Sequence, residues 1–187
     1  MRIRDEDMTN TYQIKIALRH IRPPVWRRIQ IAGDTRLGKL HRILQATMGW
    51  TNSHLHAFRV GRTSYGEPDP EFPADIKNER NVRLDSIAAE GDTFIYEYDF
   101  GDGWEHEIKI EQVSPAEPGT RYPVCLAGKR ACPPEDCGGP PGYEHLLEVL
   151  RDPQHGEHKE MAEWVGGPFA PDAFDLDDVN QALQSIE

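Results

Sequence analysis

The stretch "FIYEYDFGDGWEHEIKI", Phe94 to Ile110, restricts the fold more than any other part of the chain. Phe94, Tyr96, Tyr98 and Phe100 recur at every second residue, and so do Trp104, His106, Ile108 and Ile110. Successive side chains of an extended strand point to opposite faces, so each run buries one face and wets the other. Between the runs, "GDG" supplies glycines that tolerate the positive φ of a tight reversal. The pattern predicts an antiparallel hairpin, and its aromatic face requires a covering layer.

Other segments supply candidates for that layer and for further strands. "TYQIKIALRHI" and "VWRRIQI" repeat the period of two, with Pro23 and Pro24 breaking the ladder between them. In "GDTRLGKLHRILQATMGW", Leu37, Leu40, Ile43, Leu44, Thr47 and Met48 fall on one helical face. Asp34 or Thr35 is the expected cap and Gly49 the expected stop, with His41 beside the stripe as a core-edge residue. "HLHAFRVG" reads as a strand with His54, His56 and Phe58 on one side. Residues 66–80, with Pro68, Pro70 and Pro73 among Glu67, Asp69, Glu71 and Asp75, read as an acidic surface loop. Residues 1–11 read as flexible. Residues 143–187 carry three helical patterns, the last starting at an Asp175 cap. These elements predict a single α+β domain over residues 1–187. Its mixed, mostly antiparallel sheet would be β-grasp-like in the N-terminal part, packed with one long helix and followed by C-terminal helices.

Charge narrows the partners. With 32 acidic against 21 basic residues the net charge is -11, the opposite of the balance that neutralises phosphates, so nucleic acid is disfavoured. Arg19, Arg22, Arg27 and Arg28 form a local basic stretch, read as charge on the wet face of two strands. The start "MRIRDEDMTN" lacks the apolar core of a signal peptide, and no apolar run approaches the ~20 residues that span a bilayer. A cytoplasmic protein with no membrane partner and reduced cysteines is the expectation.

Several blocks together resemble a known family: "PPVWRRIQI", "LHRILQATMGWTNSHLHAF", "YEYDFGDGWEHEI", "YPVCLAGKRACPPEDCGGPPGYEHLLEVL" and "FDLDDVN". The chain is similar, from Tyr12 to Leu183, to the Ri-plasmid open-reading-frame-three-like family of plasmids, transposable elements and chromosomes. The resemblance implies a plasmid- or transposon-associated protein and attaches no activity to the motifs. A resolvase label carried by some relatives does not suit these residues. The first serine is Ser53, and the C-terminal helical segments are acidic where a DNA-reading helix-turn-helix is basic.

Two constellations could carry chemistry. Cys132 and Cys137 followed by His155 and His158 give C-x4-C-x17-H-x2-H, which superficially resembles a zinc site. The histidines are closer than usual and Pro133-Pro134 stiffens the cysteine loop, so free thiols are the preferred reading. The second set joins Asp99, Asp102, Glu135 and Asp136 with His54, His56 and His106, a composition that could hold zinc or another divalent cation and activate water. Against it, Asp in "DFGDGW" commonly organises a turn, and Glu135 and Asp136 precede a helix start. The glycine-rich "GGPPG" is no phosphate loop, because proline removes the amide donors.

The reading favoured by these residues is a non-catalytic binding or accessory module with no cofactor, its partner a protein or small ligand. The candidate surface is Asp99, Asp102, Trp104, His106, Glu135 and Asp136, with Trp104 reaching a groove beside the hairpin turn. A metal-dependent hydrolase on the Asp/Glu/His cluster and a DNA-binding accessory protein are the alternatives.

Overall fold

A computed structural model of the protein describes residues 9–70 and 75–186. The predicted hairpin is present. β6 (Thr93–Tyr98) pairs antiparallel with β7 (Trp104–Pro115), placing Tyr96 opposite His106 and Tyr98 opposite Trp104. Asp99, at φ 56, ends the strand, so Phe100 leaves the aromatic row and is exposed in the turn. β1 (Asn10–Leu18) lies on the other side of β7, and β2 (Trp26–Ala32) pairs with β1. Asn10 and Thr11, expected to be flexible, belong to that strand. The rest of the expected flexible start, residues 1–8, lies outside the described residues.

β3 (His56–Val60) pairs with β6, and β4 (Thr63–Gly66) with β3. β5 (Ile76–Asn78) adds parallel to β4, and β8 (Val124–Lys129) antiparallel to β2. The result is one eight-stranded sheet in the order β5-β4-β3-β6-β7-β1-β2-β8, mixed and mostly antiparallel as expected. Its parallel pair sits at one edge. The loop expected over 66–80 is therefore partly strand, and Glu79 beyond it is buried. Glu71 and Pro73 of that loop lie outside the described residues.

Helix α1 (Leu37–Met48) sets its apolar stripe on the sheet; Leu37, Leu40, Ile43 and Leu44 are fully buried with Ile14, Ile16, Tyr96 and Ile108. Neither Asp34 nor Thr35 caps it. Arg36 stands at the cap position, while Gly49 closes the helix in the left-handed conformation. α2 (Gly139–Arg151), α3 (His158–Trp164) and α4 (Leu176–Gln184) follow, and α2, with thirteen residues against twelve, is longer than α1. Tyr143 and Leu146 of α2 and Leu183 of α4 join the core, whereas Trp164 is almost half exposed on α3. Asp175 caps α4, accepting from the amides of Asp177 and Asp178. α2 begins ahead of residue 143, where the helical patterns of the sequence start. The helix starts at Gly139, with proline in its first turn where a missing N–H is no loss.

Candidate functional site

The turn after β6 and the loop before α2 meet at one end of the sheet. Asp102 Oδ2 accepts from the Gly138 amide at 3.1 Å. The two backbones are so close that a Cβ on Gly139 would lie 2.2 Å from the Asp102 carbonyl oxygen. Trp50, just past α1, holds the loop from beneath by donating from Nε1 to the Pro133 carbonyl at 2.9 Å. Glu135 is tied down by three donors: the Thr51 amide, the Thr51 hydroxyl and the Tyr98 hydroxyl. Burial works to raise its carboxyl pKa, but the bonds from Thr51 and Tyr98 outweigh it and hold the group below the ordinary value.

This clamp turns Asp136 toward His54. His54 Nε2 lies 2.8 Å from Asp136 Oδ1 and 3.6 Å from Asp99 Oδ2. Asp99 is itself divided: Oδ1 accepts from the amides of Gly101 and Asp102 at 3.0 and 3.3 Å, leaving Oδ2 to face His54. Among the described residues, His54, Asp99 and Asp136 are the one group of three or more His, Cys, Asp or Glu side chains placed to hold a single ion.

His54 and Asp99 border a cleft of about 720 Å³ whose lining also includes His41, Asn52, Ser53, Leu55, His56, Glu67, Phe100 and Gly101. Its floor is a buried imidazole pair: His41 and His56 stack with centroids 3.6 Å apart and planes at 6°. His41 Nδ1 is 2.8 Å from the Tyr96 hydroxyl and Nε2 is 2.6 Å from Asn52 Oδ1. Burial, reinforced by the neighbouring His56, lowers the His41 pKa to about 4. His56 Nε2 bonds Glu79 at 3.0 Å. A second cleft of about 910 Å³ shares His41, Asn52 and Glu67 and includes Glu79.

Several sequence expectations are overturned. Trp104 reaches no groove: it is 1% exposed and packs against Trp50 at 5.8 Å. His106 is wholly buried, its Nδ1 against the Tyr96 carbonyl at 3.2 Å. Asp102 and Glu135 are spent on the clamp. The Cys–His zinc set does not assemble. Cys132 Sγ instead accepts from Arg27 Nη2 at 3.1 Å, and among the described residues Cys132, Cys137, His155 and His158 do not bring their ligand atoms together. His158 opens α3, and His155, in the turn before it, accepts at Nδ1 from the Glu157 amide. Of the basic stretch, Arg19 and Arg22 are exposed and Arg28 is half-buried, as a wet face requires, and Arg27 alone departs from the expectation. Arg27 is buried, donating to the Trp26 and Lys129 carbonyls, and Arg19 and Arg28 pair with Glu105 and Glu111. No helix of the described residues is long and apolar enough to cross a membrane.

Sequence reasoning missed Glu79, Asn52 and Tyr98. Glu79 sat in an apparent loop, and the pairing that buries it joins strands with no periodic signal of their own. The Tyr98 hydroxyl projects past the aromatic row to Glu135, a role that a period of two does not distinguish from packing.

The chain is similar to known proteins along most of its length. The chain is 42% identical over 184 residues to the uncharacterized protein y4hQ of Sinorhizobium fredii, a match covering 96% of this chain and 93% of that one. It superposes on the crystal structure of MM3350, a protein of unknown function from Methanosarcina mazei Go1, with a TM-score of 0.85. That match is 36% identical and covers 91% of this chain and 98% of the other. The sequence profile of the plasmid pRiA4b ORF-3-like proteins matches residues 10–178, nearly everything from β1 into α4. The chain belongs to the plasmid pRiA4b ORF-3-like family.

Proposed function

We propose that the protein is a non-catalytic binding module whose site is the cleft bordered by His54, Asp99 and the Asn52-Ser53 segment. One observation carries the reading. His54 and Asp99 line a recess large enough for a small ligand, Asp136 is bonded to His54 beside it, and the other acids of the two motifs are engaged in fixing that end of the sheet. A rigid rim with few free groups suits recognition better than turnover, which needs a paired base and nucleophile. With Glu67, Asp99 and three histidines lining it, the recess favours a neutral or cationic polar ligand over a phosphate. A metal-dependent hydrolase is the second reading. The grouping of His54, Asp99 and Asp136 favours it, but it would have to work without Asp102, Glu135 and His106.

Amide NMR spectra recorded with a library of small amines, amides and polyols test the module reading. Binders should shift the Asn52, Ser53, Leu55 and Gly101 signals together. Ser53→Trp, which adds bulk at an exposed position of the lining, should abolish those shifts without unfolding the protein. Shifts confined to other surfaces, or unaffected by Ser53→Trp, would refute the assignment.

A further inference from the structure

We infer that His54 Nε2, Asp99 Oδ2 and Asp136 Oδ1 form a three-ligand site for a divalent first-row transition metal ion, open toward the cleft. The inference deepens the binding-module reading and rests on it. It starts from the separations. Metal–ligand bonds of about 2.1 Å at angles of 90–120° place ligand atoms about 3.0–3.6 Å from one another. His54 Nε2 lies 2.8 Å from the Asp136 oxygen and 3.6 Å from the Asp99 oxygen, and all three atoms fall within 4.8 Å of one another. An ion can therefore be seated with small rotations of side chains that are already convergent.

The donor chemistry selects the ion class. One imidazole with two carboxylates suits zinc, manganese or ferrous iron; magnesium and calcium prefer oxygen alone, and no thiolate is present to select softer ions. The ligands come from three separate places: the segment before β3, the turn after β6 and the loop before α2. The clamp between Asp102 and Gly138 holds the last two together. Asp99 is oriented from behind, since its second oxygen is held by the Gly101 and Asp102 amides, the outer-shell support that fixes a ligating carboxylate. Three protein ligands leave further coordination positions for water or a ligand donor atom, and the cleft lined by His54 and Asp99 is where they would open.

The test is calorimetric titration of chelator-treated, dialysed protein with zinc and manganese chloride, backed by the visible spectrum of the cobalt(II) form. Wild type should bind one ion, and the cobalt spectrum should lack the intense near-ultraviolet bands of thiolate ligation. Asp136→Asn should weaken binding at least tenfold, and because that side chain is largely exposed the fold should be unaffected. Asp99→Asn is the second variant: its remaining oxygen can still accept from the turn amides, so it too should fold and lose the ion. Cys137→Ser should bind as wild type does. Binding that survives both aspartate variants, or that Cys137→Ser removes, overturns the site. So does the absence of binding, and if polar fragments still shift Asn52 and Ser53, only the ion falls and the cleft reading stands.

Discussion

His106 is sealed in the covered face of the sheet, with Nδ1 against the Tyr96 carbonyl and Nε2 without a hydrogen-bond partner. Burial lowers its pKa to about 4, and burial with the stacked His56 lowers that of His41 to about 4. Unfolded, both imidazoles take up a proton near pH ~6.5. Both folded values are depressed, so their contribution to stability is complete above that pH. It is lost as pH falls from about 6.5 through 4, approaching ~3 kcal/mol for each site. His106→Phe keeps a ring of similar shape and removes one of the two titrations. Urea unfolding at pH 7.5 and 4.5 should show the variant losing ~2 kcal/mol less than wild type over that interval. An equal loss in both proteins would mean that His106 is not held neutral by the fold.

At the scale of elements, the contact between the β6–β7 turn and the loop opening α2 is the joint on which the candidate site depends. Gly139 has φ 69 and no room for a Cβ against the Asp102 carbonyl, whereas Gly91, at φ 90, has open space around it. Gly91→Ala should therefore cost only the ~1–2 kcal/mol of a left-handed alanine. Gly139→Ala adds a backbone clash and should cost several kcal/mol more. Denaturation midpoints of the two variants decide it, and equal losses would show that the joint yields. The joint also marks where the sequence stopped being legible. Strands and helix α1 were readable because a face that must be buried imposes a period. That period ran on wrongly to Phe100, because the left-handed turn at Asp99 leaves no periodic trace; it set Trp104 correctly on the buried face, and the groove expected there rested only on the residue's place beside the turn. The convergence of His54 with Asp136, 82 residues apart, follows from tertiary closure that no local spacing encodes.

Over the whole molecule, a sheet of eight strands has two edges to protect, and an unpaired edge invites pairing with another chain. The β5 edge is only three residues long. The β8 edge is longer, and α4 closes it by imitating a strand. The Asn180 side chain accepts from the Cys125 amide at 2.8 Å and donates to the Cys125 carbonyl at 3.0 Å, completing both backbone bonds of a buried residue. Phe174, just before the helix, lies over Gly128 and stacks on the buried Arg27 guanidinium at 4.6 Å, sealing the same edge further along. The C-terminal helix is thus part of the sheet's termination, and it is anchored to the common core by Leu183. Asn180→Leu keeps the side chain's bulk and strands one buried donor and one buried acceptor, each costing ~1–3 kcal/mol. Unfolding in urea should show a loss in the range of about 2–6 kcal/mol for the pair. Size-exclusion chromatography across a concentration series should then show the variant self-associating through β8 more readily than wild type. Adding Leu126→Lys, a charge at an exposed position of the same strand, should suppress that association if the exposed β8 edge causes it. A variant that loses stability yet behaves as wild type on the column would assign Asn180 to packing alone.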